Sequence, residues 1–186
     1  MRYAVIASPI GDLVAWGETE ALAGLGFADS PRSVRVDPAW SRDDSGFPEV
    51  AEQLEAYFGG RLTAFDLRLQ VRGTTFQQRV WEMVRTIPYG TTVTYGELAA
   101  ELGKPRAMRA VGSANGSNPI SIIIPCHRLV GVDGSLTGYG GGLERKRWLL
   151  GHEGAHPGCL WAPKPHDIAV SAVACTPPPA LAFIRV

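Results

Sequence analysis

The sequence predicts an α/β fold in two parts: a small N-terminal α/β domain with antiparallel strands, and a C-terminal, mainly helical domain with a helix-turn-helix and a candidate active-site cysteine. Short apolar runs separated by turn residues fill the first part. Helical spacing of apolar residues begins at Gly73, and two helical segments further on flank a short turn. We expect domains at residues 1–72 and 73–155, followed by a proline-rich C-terminal tail at residues 156–186.

Composition is that of an ordinary globular protein. The chain has 186 residues, of which 45% are hydrophobic, and no stretch reaches the roughly 20 apolar residues of a membrane-spanning helix. No secretion signal is visible, and the three cysteines lack the regular spacing of a disulfide framework. We therefore expect a cytoplasmic protein with a free thiol and no membrane association. A monomer is a separate expectation that composition does not decide.

Charge is unevenly distributed, although the chain carries no net formal charge. Acidic side chains outnumber basic ones in residues 1–72, whereas basic ones are in excess in residues 73–155. A basic excess favours a polyanionic partner, but a modest one is also common on ordinary solvated surfaces. Charge alone therefore leaves a nucleic-acid partner open.

The elements of the first domain follow from its apolar spacing. The segments RYAVIAS and DLVAWG are predicted strands joined by the turn SPIG, and ALAGLGF offers a third strand. Residues 28–47 are predicted to form a loop, and a helix is predicted to begin at Pro48 and end at Gly59. The alternation in AFDLRLQV, residues 64–71, predicts a half-buried strand. None of these elements carries obvious chemistry, so we interpret this domain as a scaffold.

The second domain begins with helices. Apolar residues recur at helical spacing from Phe76 to Ile87, and the segment TYGELAAELG opens with a capping box of Thr94 and Glu97 and ends at Gly103. The turn KPRA then leads into a second short helix, MRAVGSANG, which predicts a helix-turn-helix. A plain helical hairpin is the alternative that this pattern leaves open.

The segment IIIPCHRLVG carries the strongest chemical signal. The run PISIII predicts a buried strand that Pro125 ends, so that Cys126 follows at a strand end beside His127 and Arg128. A lone free cysteine is most often a small core residue. A thiol, an imidazole and a guanidinium together at the end of a buried strand cost free energy through lost hydration, unless each has a partner or a role. We therefore interpret Cys126 as a candidate nucleophile, whose thiol needs a nearby base or cation to lower its pKa.

Two later segments complete the candidate site. The run TGYGGG at residues 137–142 lacks the Lys-Ser/Thr of a P-loop, so we interpret it as a mobile wall over a pocket, with Tyr139 as its aromatic residue. The helix LERKRWLLGHEG ends near Glu153, whose carboxylate is suited to orient an imidazole in a Cys-His-Glu relay. The sequence alone leaves open that Glu153 is a solvated surface residue.

Several segments together resemble the O6-alkylguanine-DNA alkyltransferases, also called methylated-DNA–protein-cysteine methyltransferases. They are FQQRVW, IPYGTTVTYGELA, RAVGSANGSNPI, IIIPCHRLVG, GSLTGYGGGLERKRWLL and HEG. The resemblance is nearly continuous over residues 73–154 and looser over the first 70. It implies irreversible transfer of an alkyl group from O6-alkylguanine in double-stranded DNA to the protein's own cysteine, once per molecule and after base flipping. O4-alkylthymine stays open as a second substrate, and no cofactor is implied.

The resemblance also implies catalytic roles. Cys126 would accept the alkyl group, His127 would act as its base through a bridging water, and Glu153 would orient His127. Tyr95 would donate a proton or a hydrogen bond toward the departing guanine. Asn118 would brace the active-site turn.

The second helix of the helix-turn-helix would lie in the minor groove, with one arginine filling the gap left by the flipped nucleotide. That arginine is Arg109, and the implied DNA-binding set is Arg106, Ala107, Met108, Arg109 and Gly112. Further phosphate contacts are expected from Lys104, Arg128 and residues 145–147. The guanine pocket would be lined by the backbone of Cys126, Leu129 and Gly140 and by the side chain of Tyr139, with Ser121 at a further lining position. Met108 and Ser121 depart from the family pattern. The position of Met108 usually holds a small residue, and the position of Ser121 holds a proline in human-type members.

A metal site is not predicted. The N-terminal domain has no Cys/His cluster. The other candidate ligands are irregularly spaced, which is not typical of a metal site: they are His152, His156, Cys159 and His166.

Two other function classes stay open from the residues alone. A DNA-damage sensor or regulator would not need Cys126, and a cysteine hydrolase would not need a basic helix.

Overall fold

The computed structural model describes residues 1–18, 21–30 and 36–155. The N-terminal part contains β1 (Arg2–Ile6), β2 (Leu13–Glu18), β3 (Ala21–Phe27), β4 (Ser41–Arg42) and α1 (Pro48–Phe58). The C-terminal part contains α2 (Thr75–Arg85), β5 (Val93–Thr94), α3 (Tyr95–Glu101), α4 (Met108–Gly116), a short 3₁₀ helix (Cys126–Arg128), β6 (Leu129–Val130) and α5 (Leu143–His152). The predicted tail at 156–186 lies outside the described residues, and so do His156, Cys159 and His166 of the irregular His/Cys group.

The predicted N-terminal α/β unit with antiparallel strands is confirmed. Its four-stranded sheet has the order β3-β2-β1-β4, in which β1 and β3 pair antiparallel with β2. The two-residue strand β4, inside the predicted loop, pairs parallel with β1. Helix α1 begins at Pro48 as predicted and buries Val50, Leu54 and Tyr57 on one face.

Two predicted strands are wrong, and both segments instead contact the open edge of β3. Residues 64–71 make one parallel bridge, between Leu69 and Leu22, and residues 119–124 make one between Ile120 and Leu25. Past Ile120 the chain turns, and Ile122 adopts a φ of 71° in the left-handed region that non-glycine residues rarely occupy. In these two segments, apolar alternation and β-branched residues indicate burial rather than pairing in a β-ladder.

The helical part follows the predicted caps. Thr74 and Gln77 form a capping box on α2, and Thr94 and Glu97 form the predicted one on α3. Gly103 ends the turn of α3 with a φ of 70°, which glycine adopts without steric cost. Helices α3 and α4 then form the predicted helix-turn-helix. Within the described ranges, no helix is long and apolar enough to cross a bilayer.

A short parallel β-ladder connects the helix-turn-helix to the segment that contains Cys126. Strand β5 pairs with β6, so that Val93 lies opposite Leu129 and Thr94 opposite Val130. Tyr95 follows β5 directly and Arg128 precedes β6 directly. The first turn of α3 and the 3₁₀ helix of Cys126 are therefore held side by side.

Candidate active site and DNA-binding helix

Cys126 begins the 3₁₀ helix, and its side chain is buried. The strand that was predicted to carry it is absent, and the tight turn before it is held by Asn118. The Asn118 side chain accepts from the Ile120 amide at 3.0 Å and donates to the Ile124 carbonyl at 2.9 Å. These bonds span the turn that contains the strained Ile122. Asn118 thus fixes the backbone that delivers the thiol.

The thiol of Cys126 is protonated in its resting environment. Burial raises its pKa, because the charged thiolate loses its hydration, while a hydrogen bond from Asn118 and the positive charge of Lys146 act in the opposite direction. A thiolate nucleophile therefore requires a base that removes the proton when substrate is bound.

His127 is the candidate for that base. It is fully buried, and its Nε2 lies 2.8 Å from Oε1 of Glu153. Burial lowers the pKa of His127 even though Glu153 acts to raise it, so the imidazole is neutral at physiological pH. The neutral ring donates its Nε2 proton to the carboxylate, which leaves Nδ1 with a free lone pair. Nδ1 has no hydrogen-bond partner among the described residues, and it is the position available to accept a proton.

Glu153 is the centre of a buried network rather than a solvated surface residue. Its carboxylate accepts hydrogen bonds from the Tyr57 hydroxyl at 2.7 Å, from Arg128 Nε at 2.9 Å and from the Gly90 amide at 3.2 Å, in addition to the contact with His127. Burial acts to raise the pKa of Glu153, but the hydrogen bonds from His127 and Arg128 and the positive charge of Arg128 outweigh it and hold the pKa well below its usual range. The carboxylate is therefore ionised.

Three of the cations expected near DNA have other partners. Arg128 is buried, pairs with Glu153, and donates from Nη1 to the Ile87 carbonyl. Lys146 is buried and donates from Nζ to the carbonyls of Leu129 and Thr137, and burial lowers its pKa to about 8. Arg145 pairs with Asp29 of the N-terminal part. The expectation of phosphate contacts is therefore wrong for Arg128 and Lys146, whose charged groups are buried against acceptors within the fold. For Arg145, which is only partly buried, it stays a prediction.

A cavity of about 760 Å³ opens between α3, α4 and the loop at residues 131–140. Its lining includes residues from the predicted catalytic, DNA-binding and guanine-pocket sets. They are Tyr95 of the first set, Met108, Arg109 and Gly112 of the second, and Tyr139 and Gly140 of the third. Met108 is 51% exposed at its rim and Arg109 is exposed. Arg106 and Ala107 lie beside Lys104 on the preceding turn, in a separate shallow depression.

Two predicted pocket residues lie elsewhere. Ser121 lines a second cavity of about 320 Å³ against Trp16 and Trp40 of the N-terminal part, and this cavity shares Gly140 with the larger one. The Leu129 side chain is fully buried, and its carbonyl accepts from Lys146. Neither residue lines the larger cavity.

Two tyrosines form the wall of the larger cavity. The Tyr95 hydroxyl donates to the Thr137 carbonyl at 3.3 Å, which ties α3 to the glycine-rich loop. Burial raises the pKa of Tyr95, with a hydrogen bond involving the Thr137 side chain opposing it, so the hydroxyl is protonated at neutral pH. Tyr139 places its ring 6.4 Å from that of His127, edge to face. Its buried hydroxyl has no hydrogen-bond partner in the described part of the chain.

Sequence reasoning missed three side chains of this site. Tyr57 belongs to the apolar face of α1, where its hydroxyl gave no signal. Asn115 is buried in α4 and donates to the Cys126 carbonyl at 3.2 Å. Lys146 was expected only as one of the phosphate contacts at residues 145–147, and it is buried beside the site. A polar residue at a buried helical position, as in Asn115, is the one signal that was available for these residues.

Comparison with known proteins places the whole described chain in one family. Residues 75–155 match the DNA-binding domain of 6-O-methylguanine DNA methyltransferase, and residues 1–71 match its ribonuclease-like domain. A methylated-DNA–protein-cysteine methyltransferase of Methanosarcina acetivorans is 47% identical, over 83% of this chain and 99% of its own. The protein of that name from Mycobacterium bovis is 50% identical, over 81% of this chain and 90% of its own.

Solved structures agree. A crystal structure of Mycobacterium tuberculosis OGT in complex with DNA superposes with a TM-score of 0.78 at 50% identity, covering 83% of this chain and 93% of that one. A structure of the O6-methylguanine methyltransferase from the same organism gives a TM-score of 0.75 at 50% identity, covering 82% and 92%. The resemblance inferred from the sequence is thereby confirmed, and the chain belongs to the methylated-DNA–protein-cysteine methyltransferase family.

Proposed function

We propose that the protein repairs double-stranded DNA by moving the alkyl group of O6-alkylguanine irreversibly to Cys126. The observation that carries the proposal is the relay at residues 126, 127 and 153: a buried thiol, a neutral imidazole with a free Nδ1 and an ionised carboxylate. The cavity beside it is lined by residues of the DNA-binding helix. This is the arrangement required of a nucleophile that acts on a base taken out of the stack.

The chemistry balances without a cofactor. His127 Nδ1 takes the thiol proton, directly or through one water, and the Cys126 sulfur attacks the alkyl carbon. A sulfur–carbon bond forms as the carbon–O6 bond breaks, and the bonding electrons stay on the guanine. Tyr95 supplies a hydrogen bond or proton to the departing base, so that neutral guanine leaves. The thioether product has no group beside it that regenerates the thiol, and the protein therefore acts once.

Extrusion of the base is the second part of the proposal. The alkyl carbon lies within the duplex, so the nucleotide must rotate out at a cost of a few kcal/mol. A damaged base pairs poorly and costs less to extrude, which contributes to selectivity. Arg109 fills the vacated position, a role that its exposure on α4 and its place in the lining of the cavity support. Met108 beside it offers an apolar contact to the sugars of the minor groove.

The proposal also contains the expected organisation of the molecule. Residues 1–72 and 73–155 form two domains, and the protein works as a monomer on duplex DNA in the cytoplasm. The relay is complete within one chain, so the chemistry needs no residue from a second copy. A nucleophilic thiol that must stay reduced supports a reducing compartment.

Incubation with duplex DNA that carries a labelled O6-methylguanine tests the function. We expect the label to move from DNA to protein, with no further transfer when fresh DNA is added. Binding of the damaged duplex without transfer would support the sensor class instead. Repeated turnover of an ester or peptide would support the cysteine hydrolase.

Replacing Arg109 by alanine tests the extrusion step. We expect repair of duplex DNA to slow by about tenfold or more, because unstacking costs a few kcal/mol that Arg109 would otherwise offset. Reaction with free O6-methylguanine base needs no extrusion and should change little. Arg106→Ala is the matched control, since it removes a cation beside α4 but outside the cavity. Equal slowing with duplex and free base would contradict the role of Arg109.

A further inference from the structure

The N-terminal part contributes a side chain to the buried carboxylate of the relay. Tyr57 lies at the end of α1, is fully buried, and donates its hydroxyl to Oε1 of Glu153 at 2.7 Å across 96 positions of sequence. Burial and the Glu153 carboxylate raise the pKa of Tyr57, so the group stays a protonated donor. The interpretation of this domain as a scaffold therefore omits one of its contacts.

The Glu153 oxygen that accepts from Tyr57 also contacts the candidate base, His127. Oε1 lies 2.8 Å from Nε2 of His127 and 3.0 Å from Nη2 of Arg128, while Oε2 accepts from Arg128 Nε and the Gly90 amide. Hydrogen bonds that share one acceptor withdraw electron density from each other. The Tyr57 hydroxyl therefore weakens the pull of Glu153 on the imidazole proton.

The ring of Tyr57 is held independently of its hydroxyl. It packs 5.3 Å from the rings of Phe58 and Phe65 and 5.2 Å from that of His152, centroid to centroid. The Tyr57 carbonyl lies 2.8 Å from Nε2 of His152, the residue before Glu153. A phenylalanine at position 57 keeps these ring and backbone contacts and removes the hydroxyl alone.

We propose that Tyr57 is a positioning residue for alkyl transfer, because its hydroxyl fixes the Glu153 carboxylate and limits how strongly that carboxylate attracts the proton of His127. The proposal rests on the proposed function of the relay. The other groups that face the pair are Arg128 on the 3₁₀ helix, Lys146 on α5, Tyr89 before β5 and Tyr139 of the glycine-rich loop. All of these remain in place when the Tyr57 hydroxyl is removed.

The sign of the effect follows from the proton that His127 must accept. Without the Tyr57 hydroxyl, Glu153 stabilises the protonated imidazole more strongly, and the pKa of His127 rises. Less neutral base is then present on the acid side of the rate profile, which moves to higher pH. The Cys126 thiol titrates on the alkaline side, since burial raises its pKa, and does not account for this shift.

The full-length chain with Tyr57→Phe tests the proposal by its rate of methyl transfer across pH. We expect the acid limb of the rate profile to move to higher pH, so that the rate falls by about threefold more on that limb than on the plateau above it, which corresponds to part of one hydrogen bond to a charged group. Tyr89→Phe is the matched control. It removes a neighbouring hydroxyl that donates to the His152 carbonyl instead of to Glu153, and its profile should match the wild type.

A second measurement is independent of turnover. The ring nitrogens of His127, assigned in a ¹⁵N-histidine spectrum with a His127→Gln variant, should titrate at higher pH in Tyr57→Phe than in the wild type. An unchanged titration, or a rate that falls equally at all pH values with a lower melting temperature, would reduce Tyr57 to a packing residue and overturn the proposal. If the wild type transfers no methyl group, the proposed function fails, and this titration still decides whether Tyr57 tunes His127.

Discussion

Replacement of Cys126 by alanine is expected to abolish alkyl transfer and to leave folding and DNA binding intact. The acceptor sulfur is lost, and no other group of the relay is a nucleophile for the alkyl carbon. The thiol is small and buried, so its removal leaves a minor cavity that costs about 1 kcal/mol of the free energy of unfolding. The cations near α4, Arg106 and Arg109, are untouched, and affinity for undamaged duplex should be unchanged.

The matched controls for this variant are Cys159→Ala and Cys175→Ala. Each removes one of the other two thiols, and each should retain full transfer. The measurements are label transfer from an O6-methylguanine duplex, thermal unfolding, and binding of an undamaged duplex. Transfer that persists in Cys126→Ala would contradict the assignment of the acceptor.

Replacement of Glu153 by glutamine is expected to lower the free energy of unfolding by about 3–5 kcal/mol at neutral pH, because it leaves the buried Arg128 guanidinium without its counter-charge. The neutral amide also presents donor hydrogens toward Tyr57 and His127, which themselves donate to the wild-type carboxylate. Alkyl transfer should slow in parallel, since the orientation of His127 is lost. Urea unfolding of both proteins measures the difference.

The pH dependence of that difference follows from the depressed pKa of Glu153. A carboxylate with a folded-state pKa below its unfolded value contributes its full stabilisation above the unfolded value of about 4.3, and loses it as the pH falls toward the folded value. The gap between wild type and Glu153→Gln should therefore be constant from neutral pH down to about pH 5 and shrink in more acidic solution. Glu144→Gln is the control, since Glu144 lies on the same helix in an exposed pair with Arg147, where the change should stay below about 1 kcal/mol. Equal stability of Glu153→Gln and wild type at neutral pH would contradict the network.

The elements that sequence reasoning predicted well are those with local signals. The Pro48 start of α1 and the capping box of Thr94 and Glu97 are encoded within a few residues of each other, so no tertiary information was needed. The run around Cys126 was also informative, because polar groups after a buried segment are costly unless they are used. The specific roles came from the resemblance to a family.

The rest depended on contacts between distant parts of the chain. The segment before Cys126 has the composition of a strand, but a single bridge, between Ile120 and Leu25, joins it to β3, and apolar composition cannot tell burial in a turn from burial in a ladder. Arg128 was expected near DNA, because its sequence neighbours do not reveal that Glu153, 25 positions away, neutralises it inside the fold. Tyr57 lies within an apolar helical stripe. The stripe predicts that its ring is buried, but it gives no information about the hydrogen bond of its hydroxyl.

The site of alkylation tests the central claim most directly. The wild-type protein is incubated with an excess of duplex DNA that contains O6-methylguanine, then digested and analysed by mass spectrometry. We predict that one methyl group is added per chain, that it lies on the peptide containing Cys126, and that the amount does not increase with further DNA. A methyl group on Cys159 or Cys175 instead, or more than one DNA repaired per chain, would contradict the account.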